Sequence, residues 1–597
     1  MNKLNNKILM KNCAKTILNL WPYLLATIII TLAIPYVLFL DGIDLTKYPL
    51  MYQFGDASND LLRSHEMHFD KSFFTFDSIG SPYGSDYYGF YGIDLGLLVV
   101  QYLFAIVVPN YILGSNLFLL SSFYIVAYTF IYAAKRLGLK PLLASLLAVT
   151  YTFLPYHSLR LSGHTYLCFY FIAPIALCFA IELFTSRFDL KRKSNIVWLI
   201  ICGTTGIYYS FFACFYFLIA GIVVSICSKS IKKIKDSLFS IGLVVAGVVL
   251  CVIPVFVHNL FSSEASKVVS RARLGTDIFS FRIAQLILPT IGHRSGRLAE
   301  LRNTYMQANS LAISESDFST FGIVISIGLL LVLIYSFFIF SGKEITSYKA
   351  IWFMSLATLL IATQGSLSTI FTMIFPLIRC YNRISVFLAF LCAIFLGLCL
   401  GNLYDFLVSK LDTKKTSKLI KTSITIILSA MMLCVCAFSI WDQSSTNNQY
   451  IYAHQSDYFQ NNKDTVDRIM EVAMQDNPED GTVDLYFLPY IQYPETNVSV
   501  NYFLYEPIHL VVHDNRLQLS YGVLYTNSNA TTLQSISTLP LEEQLIWAEE
   551  QGYDGILLAS RAIDDMEERE EIINELRELF GREADVVNYD YYYYDFE

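Results

Sequence analysis

An acidic segment follows the first long apolar run of the chain and carries residues that could do chemistry. It reads Gly55-Asp56-Ala-Ser-Asn-Asp60. A carboxylate here could accept the proton of an attacking hydroxyl group, which is the general-base step of group transfer, or bind a divalent metal ion through its oxygen atoms. A water-exposed loop also contains acidic residues for solubility alone, so the motif by itself leaves both interpretations open. We take Asp56 and Asp60 as the candidate catalytic residues.

Basic side chains form a second group of candidates. A guanidinium group is planar and binds two phosphate oxygens at once, which suits a phosphate or pyrophosphate headgroup. The alternative is unspecific contact with anionic lipid headgroups. A single lysine at the interface would serve that purpose, so the pair Arg379 and Arg383, which brackets the start of a helix, favours a specific site. The predicted phosphate-binding residues are Arg160, His164, Arg271, Arg273, His293, Arg294, Arg379 and Arg383.

Aromatic residues are dense in the loop that contains the acidic segment. Tyrosine and tryptophan belts are ordinary at membrane interfaces. Aromatic rings also stack on sugar rings, so a saccharide site is the alternative interpretation. The residues are Phe73, Phe74, Phe76, Tyr83, Tyr87, Tyr88, Phe90 and Tyr91.

The elements that must position these residues are membrane helices. The chain has 597 residues, of which 54% are hydrophobic and 15% are charged, and its mean hydropathy is +0.47. Its apolar runs are long enough to cross a bilayer, which takes about 20 residues per helix. We therefore predict a polytopic α-helical membrane protein with about 11–13 membrane helices. Within the run 196–227, an interruption at 203–206 predicts two short helices.

Basic residues predict the orientation of these helices. Lys3, Lys7, Lys11 and Lys15 precede the first apolar run, 17–40, which is longer than the core of a signal peptide. The positive-inside trend then puts the N-terminus in the cytoplasm and the C-terminal part outside the cell membrane. Before Arg187, however, the number of predicted membrane crossings differs by one from the number that this orientation requires. Either the segment 93–108 is re-entrant or interfacial, or Lys135, Arg136 and Lys140 lie outside against the trend.

The chain divides near Trp441 into two parts of opposite charge. Residues 442–597 carry 30 Asp and Glu against 7 Lys and Arg, a formal charge of −23, while residues 1–441 carry 20 acidic and 35 basic residues, or +15. Phosphates would repel so acidic a tail, which argues against nucleic acid as its partner. We predict a membrane domain over 1–441, with outside loops at 41–92 and 258–320, and an extracytoplasmic domain over 442–597.

Helical and strand-like patterns alternate within the tail and predict an α/β domain. The helical patterns lie at 459–474, 541–551 and 562–579, and the strand-like ones at 482–491, 553–559 and 584–596. The tyrosine-rich end at 591–594 is predicted to be an amphipathic edge strand.

Four short motifs and their order along the chain resemble the GT-C superfamily of membrane glycosyltransferases. The motifs are Gly55-Asp56, Gly80-Ser-Pro-Tyr-Gly84, Leu288-Pro-Thr-Ile-Gly-His293, and Glu315 shortly before Phe321-Gly322. Within the superfamily the layout is similar to YfhO-type enzymes and related transferases of bacterial cell-surface polysaccharide or teichoic acid.

The resemblance implies a GT-C-like fold, a catalytic base in the first outside loop, and a sugar donor carried on a polyprenyl phosphate. It makes Asp56 the leading candidate for the base and Asp60 the second. Ala57 stands where several GT-C branches have a second acidic residue. The sequence therefore does not identify a metal cofactor. It is compatible with Mg²⁺ or Mn²⁺ and requires neither ion.

The hypothesis from the sequence is a hexosyltransferase acting at the outer membrane face, with a glycan or lipid-linked acceptor and membrane lipids as further partners. Neither a Gly-x-Gly-x-x-Gly motif nor a P-loop is found, which suits a lipid-linked donor. One rival is a transporter or flippase for a lipid-linked saccharide, although its typical internal repeats and mid-membrane charges are not evident. The other rival is a non-enzymatic protein of cell-envelope assembly.

Overall fold

The computed structural model describes most of the 597 residues. The residues outside the description are 1, 53–54, 90–93, 162, 262–275, 312–313, 340–345, 375–377, 414–417, 476–480, 495–498, 500–501, 504 and 597, and the side chains of 2–18, 374, 411–413, 418, 421 and 450–455 are likewise not described. Two predicted phosphate ligands, Arg271 and Arg273, therefore lie outside the described residues.

The first half of the chain is helical. Its helices are α1 (Asn2–Leu38), α2 (Asp56–Phe69), α3 (Leu95–Val107), α4 (Tyr111–Arg136), α5 (Pro141–Thr152), α6 (Pro155–Arg160), α7 (Ile172–Phe184), α8 (Lys193–Thr204), α9 (Ile207–Ser228) and α10 (Ile231–Phe261). Two short antiparallel strands, β1 (Thr75–Phe76) and β2 (Ser85–Asp86), lie in the first loop. The predicted break at 203–206 is confirmed, because α8 ends at Thr204 and Gly206 has a φ of +76° that favours glycine.

Seven further helices complete the membrane part. They are α11 (Ile283–Ile287), α12 (Gly296–Ala308), α13 (Gly322–Tyr335), α14 (Ser347–Ala362), α15 (Leu367–Ile374), α16 (Ser385–Thr413) and α17 (Lys418–Gln443). Among the described residues, 7 stretches are long and apolar enough to cross a membrane, and four shorter apolar helices of 10–17 residues accompany them. The prediction of a polytopic α-helical membrane protein is confirmed.

The short helix α3 lies along one face of the helix bundle. Its 13 residues extend about 20 Å, less than the roughly 30 Å of a hydrocarbon core. At its start, Asp94 accepts a hydrogen bond from the backbone N–H of Gly206, between α8 and α9. Just beyond its end, the hydroxyl group of Tyr111 donates to the backbone oxygen of Val512 in the tail. Asp94 also lies within reach of the charge of Arg63 in α2, and Ser58 of α2 shares a hydrogen bond with His509 of the tail. Both ends of α3 thus lie on the side that carries the tail, which we call the domain face.

The opposite ends of the crossing helices carry the basic residues whose side the sequence leaves open. Lys135 donates to the backbone oxygen of Asn19 in α1, 3.2 Å away. Lys140 forms an ion pair with Asp405 in the last part of α16. We call this side the basic face. Of the two alternatives from the sequence, a re-entrant or interfacial segment at 93–108 is the one consistent with both ends of α3 lying at the domain face.

The tail is an α/β domain, as predicted. Its elements are α18 (Asn447–Ala473), β3 (Val483–Leu488), α19 (Ile508–Val511), β4 (Leu517–Leu519), α20 (Ser528–Ile536), α21 (Leu541–Glu550), β5 (Gly555–Ala559), α22 (Met566–Phe580), β6 (Val586–Asn588) and β7 (Tyr591–Asp595). The strand order is β4-β3-β5-β7-β6, with β3 parallel to β4 and β5 and with β7 antiparallel to β5 and β6.

The tyrosine-rich strand β7 is not an edge strand, so that part of the prediction is wrong. β7 pairs with β5 on one side and with β6 on the other. The single strand predicted at 584–596 is a hairpin instead, and its tip at Tyr589 has a φ of +52°. Burial of Tyr591, Tyr593 and Tyr594 provides the reason, since their rings belong to the hydrophobic cores on the two faces of the sheet.

Candidate functional site

Asp56 is the first residue of helix α2, at the domain face. It follows Gly55, whose φ of +106° turns the chain sharply into the helix. No side chain caps this N-terminus at Gly55, and a carboxylate in the first turn is favoured because the N-terminal end of a helix carries partial positive charge. The side chain of Asp56 is 40% exposed, so an external molecule can reach it.

His164 joins Asp56 to a second carboxylate, that of Glu315. Nδ1 of His164 lies 2.8 Å from Oδ2 of Asp56, and Nε2 lies 2.9 Å from Oε1 of Glu315. An imidazole can donate hydrogen bonds from both nitrogens only when it is protonated. Burial alone would lower the pKa of His164, but the hydrogen bonds and negative charges of Asp56 and Glu315 outweigh it and raise the pKa above its usual range. The protonated form fits this geometry.

Glu315 in turn binds two arginines. It begins a short 3₁₀ helix, Glu315–Ser319, and its Oε2 accepts a hydrogen bond of 2.7 Å from Nη1 of Arg160. Nη2 of Arg383 lies 3.8 Å from the same oxygen. Burial raises the pKa of Glu315, but the charge of Arg160, the hydrogen bond from His164 and the charge of Arg383 hold it well below its usual range. Glu315 is therefore a permanent anion.

Arg160 and Arg383 of this cluster, and Arg379 four residues before Arg383 in the chain, keep buried nitrogen atoms that have no hydrogen-bond partner among the described residues. These atoms are Nε and Nη2 of Arg160, Nε of Arg379 and Nε of Arg383, and both side-chain polar atoms of Asn382 are in the same condition. Each such buried group costs about 1–3 kcal/mol unless something binds it. Donors held in this way at the domain face are suited to the oxygens of an anionic ligand.

Aromatic rings cover the guanidinium groups. The Cζ atom of Arg160 lies 5.0 Å from the ring centre of Tyr156 and 5.4 Å from that of Phe318. Arg383 lies 4.4 Å from the ring centre of Tyr208. These contacts fix the planes of the guanidinium groups while their edges remain available.

Asp60 is in a different environment from Asp56, although it lies one turn further along α2. It is buried, accepts a hydrogen bond from the hydroxyl group of Thr165, and lies 3.5 Å from Nη1 of Arg63. Burial raises its pKa to about 8, although the charge of Arg63 opposes the shift. Asp60 is thus protonated at neutral pH and belongs to the packing between α2 and the segment at 165.

The other predicted phosphate ligands have partners elsewhere. Arg294 donates to Oγ of Ser444 at 2.7 Å and stacks on Tyr36 at 3.9 Å, which ties α1 to the end of α17. His293 accepts a hydrogen bond of 2.8 Å from the backbone of Ser295. Arg379 stacks on Phe279 at 5.3 Å. The structure thus joins Asp56, Arg160, His164 and Arg383 in one cluster through Glu315, and it does not bring His293 or Arg294 to that cluster.

The sequence interpretation named Glu315 only as part of a motif and did not include it among the site residues. Its signal was a carboxylate a few residues before an apolar run, which is expensive at a membrane face unless it has a partner. It also missed Asp94, a partly buried residue near the cluster. Desolvation raises the pKa of Asp94 to about 6, although the N–H of Gly206 and the charges of Arg63 and Arg383 lower it. Nothing in the local sequence marks Asp94.

The donor set of the cluster does not fit a divalent metal ion. Both oxygens of Glu315 are occupied, one by His164 and the other by Arg160. A cation at that point would also meet the charges of two arginines. Within the described part of the chain, no group of three or more His, Cys, Asp or Glu is arranged to hold a metal ion.

Comparisons with known proteins yield structural likeness alone. No protein-family model matches the chain, and no curated protein matches its sequence. The chain is similar to ArnT from Cupriavidus metallidurans bound to undecaprenyl phosphate, with 10% identity, a TM-score of 0.49 and coverage of 94% of this chain and 97% of that chain. It is also similar to ArnT from the same organism in the apo state, with 10% identity, a TM-score of 0.46 and coverage of 95% of this chain and 97% of that chain. A third similar structure is the oligosaccharyltransferase of Archaeoglobus fulgidus in complex with Zn and sulfate, with 11% identity, a TM-score of 0.40 and coverage of 85% of this chain and 64% of that chain.

Proposed function

We propose that this protein is a glycosyltransferase that moves a sugar from a polyprenyl-phosphate donor to a cell-surface or lipid-linked acceptor at the outer face of the membrane. One observation carries the proposal. A half-exposed carboxylate, Asp56, is connected through His164 and Glu315 to the guanidinium groups of Arg160 and Arg383. A base and an anion-binding group thus lie side by side at one face of a membrane protein.

The chemistry is a displacement at the anomeric carbon of the donor sugar. Asp56 accepts the proton of the acceptor hydroxyl group as its oxygen attacks that carbon from the side opposite the phosphate. The bond between the anomeric carbon and the phosphate oxygen breaks, its electron pair stays with the polyprenyl phosphate, and the sugar configuration is inverted. Arg383 and Arg160 stabilise the negative charge that builds up on the leaving phosphate, which is where preorganised charge accelerates a reaction most.

The outer face is the side proposed for this reaction. The lysines near the N-terminus and the basic face of the bundle suit the cytoplasm by the positive-inside trend, so the domain face and the acidic tail lie outside. Nucleotide sugars are absent there, whereas a lipid-linked donor presents its phosphate at that depth. The acceptor is proposed to be a surface glycan of the polysaccharide or teichoic-acid kind, in keeping with the resemblance to YfhO-type transferases.

The experiment that tests this function uses the full chain in lipid nanodiscs with a synthetic polyprenyl-phosphate hexose and a panel of hydroxyl acceptors. We expect release of free polyprenyl phosphate that depends on the acceptor and matches the glycosylated product mole for mole. Asp56→Asn should abolish both. Movement of the intact donor between leaflets of vesicles without product would support the flippase instead and would overturn the proposal.

A further inference from the structure

The first loop is built into the sheet of the tail. Residues 78–81 run parallel to the edge strand β4, with a bridge between Ile79 and Leu519. The backbone N–H of Leu519 donates to the oxygen of Ser78 at 3.1 Å, and that of Ser81 donates to the oxygen of Leu519 at 3.0 Å. Strand addition at a sheet edge is directional, because each backbone hydrogen bond fixes the register. The loop therefore has a defined place against the tail.

A glycine permits the close approach of these two segments. Gly522 follows β4 with a φ of +106°, and a Cβ atom there would lie 2.8 Å from Cβ of Ile79. Its carbonyl oxygen accepts a hydrogen bond of 2.7 Å from Oγ of Ser85, in β2 of the loop. The contact between the first loop and the tail therefore extends beyond residues 78–81.

The tail also holds the first turn of α2 directly. Nε2 of His509 and Oγ of Ser58 share a hydrogen bond of 2.8 Å. The hydroxyl group of Tyr493 donates to Oδ1 of Asn59 at 2.5 Å. All four side chains are buried, with residue exposures of 0–2%. Ser58 and Asn59 are two and three residues after Asp56, so the tail holds the turn that carries the proposed base.

His509 is itself rigidly held. Its ring stacks on that of Tyr52, with centres 4.3 Å apart and planes inclined by 26°. The hydroxyl group of Tyr52 donates to the backbone oxygen of His509 at 3.0 Å. Tyr52 receives a further hydrogen bond of 2.8 Å from the side chain of Asn462 in α18. These contacts hold the imidazole of His509 in place, and its hydrogen bond to Ser58 in turn positions α2.

The membrane part holds the opposite side of the same helix. Nε2 of Gln101, in α3, donates to the backbone oxygen of Asp60 and to Oγ of Ser64, each at 2.7 Å. Helix α2 thus lies between the tail and the bundle, with hydrogen bonds to both. Catalytic groups need their supporting residues to hold them within a fraction of an ångström of the productive geometry.

We propose that His509 and Tyr493 are positioning residues, through which the C-terminal domain sets the place of Asp56 relative to Arg160 and Arg383. The tail is then a working part of the site rather than a separate binding module. The inference rests on the proposed function only for the role of Asp56. The mechanical link between the tail and α2 stands on its own contacts.

The test compares Tyr493→Phe and His509→Ala with the control Tyr486→Phe in the full chain. Tyr486 is also a buried tyrosine of the tail, and its hydroxyl group donates to Gln544 at 3.2 Å, inside the tail's own core. Hydrogen–deuterium exchange of peptides covering 56–69 is measured for each protein in nanodiscs. One lost hydrogen bond, worth about 1 kcal/mol, should raise exchange of α2 about fivefold in the first two variants and leave it unchanged in the control.

Kinetics provide the second readout. Because the donor phosphate is bound by arginines of the bundle, both positioning variants should lower kcat and leave the KM for the donor unchanged. The kcat of a Ser58→Ala and His509→Ala double variant should be no lower than that of His509→Ala alone, since both changes remove the same hydrogen bond. If His509 and Tyr493 only stabilise the fold, the reductions in kcat should instead be additive and the KM for the donor should rise.

The possible results are distinguishable. Exchange of α2 equal to that of the control variant, or additive losses in the double variant, overturns the positioning role. Faster exchange of α2 in a protein whose wild type shows no transfer supports the mechanical link and counts against the proposed function alone. Faster exchange across the whole tail without a change at 56–69 also overturns the inference.

Discussion

Nδ1 of His164 lies 2.8 Å from Oδ2 of Asp56, although 108 residues separate the two along the chain. A protonated imidazole in this position donates a hydrogen bond to the carboxylate and so holds it in place, while 40% of the Asp56 side chain stays exposed. The other ring nitrogen is fixed by Glu315, so the imidazole plane is set from both ends. The pair is comparable to a base and its orienting group in other acid–base sites.

The contrast between two carboxylates of one helix yields the first prediction. Asp56→Asn removes the proton acceptor, so transfer should fall by about 10²–10⁴-fold, the usual contribution of a general base. Asp60→Asn replaces a carboxyl group that is already protonated, so transfer should stay within about twofold of wild type, because no charge is changed. Initial rates with saturating donor measure both. Equal losses in the two variants would contradict the assignment of Asp56.

The pH dependence of stability follows from Asp60. Its pKa in the folded protein is about 8, above the ordinary 3.8, so the folded state keeps a proton that the unfolded chain releases. This contribution is complete below about pH 4 and is lost as the pH rises through about 8. Melting temperatures in detergent should therefore fall over that range for wild type, and the slope should be smaller for Asp60→Asn. Asp56→Asn is the matched variant, in which the slope contributed by Asp60 should persist.

Replacement of Glu315 should change the pH profile of the reaction. Glu315→Gln removes a negative charge and an acceptor that raise the pKa of His164, so His164 loses its second proton at lower pH. The alkaline limb of kcat/KM should then move to lower pH, since only the protonated imidazole donates to both partners. An unshifted limb with a uniformly reduced rate would show that His164 does not titrate in the reaction.

One of the two arginines proposed to bind the donor phosphate, Arg383, yields a binding prediction. Arg383→Lys keeps the charge but loses the planar fork, so the KM for the donor should rise about tenfold, equivalent to about 1.4 kcal/mol for one charge-assisted hydrogen bond. Arg297→Lys, at an exposed position of α12, is the matched control and should leave the KM unchanged. The same KM in both variants would remove Arg383 from the donor site.

Chelation tests the cation requirement. Glu315 uses both oxygens on His164 and Arg160, which leaves the cluster without a suitable set of metal ligands. Transfer should therefore persist after dialysis against EDTA. A loss of activity that Mg²⁺ or Mn²⁺ restores would show that a metal ion takes part and that the cluster rearranges to bind it.

Several features were readable from the sequence because they depend on short stretches of chain. Apolar runs predict α4, α9, α10, α16 and α17, since burial in lipid requires an uninterrupted apolar surface on a single helix. The charge division near Trp441 and the alternating patterns of the tail are equally local. Asp56 was selected because an acidic residue close after a membrane helix is a recognisable local arrangement.

The partners of Asp56 were decided by the tertiary structure alone. His164 reaches Glu315 across 151 residues, and Arg160 reaches it across 155. The same holds for α3, which is as apolar as a crossing helix but lies along the domain face, and for β7, which became an inner strand because β6 folds back beside it. Composition and periodicity report what a segment prefers to bury. Which segments meet depends on packing between distant elements, and that information is absent from any short stretch of the chain.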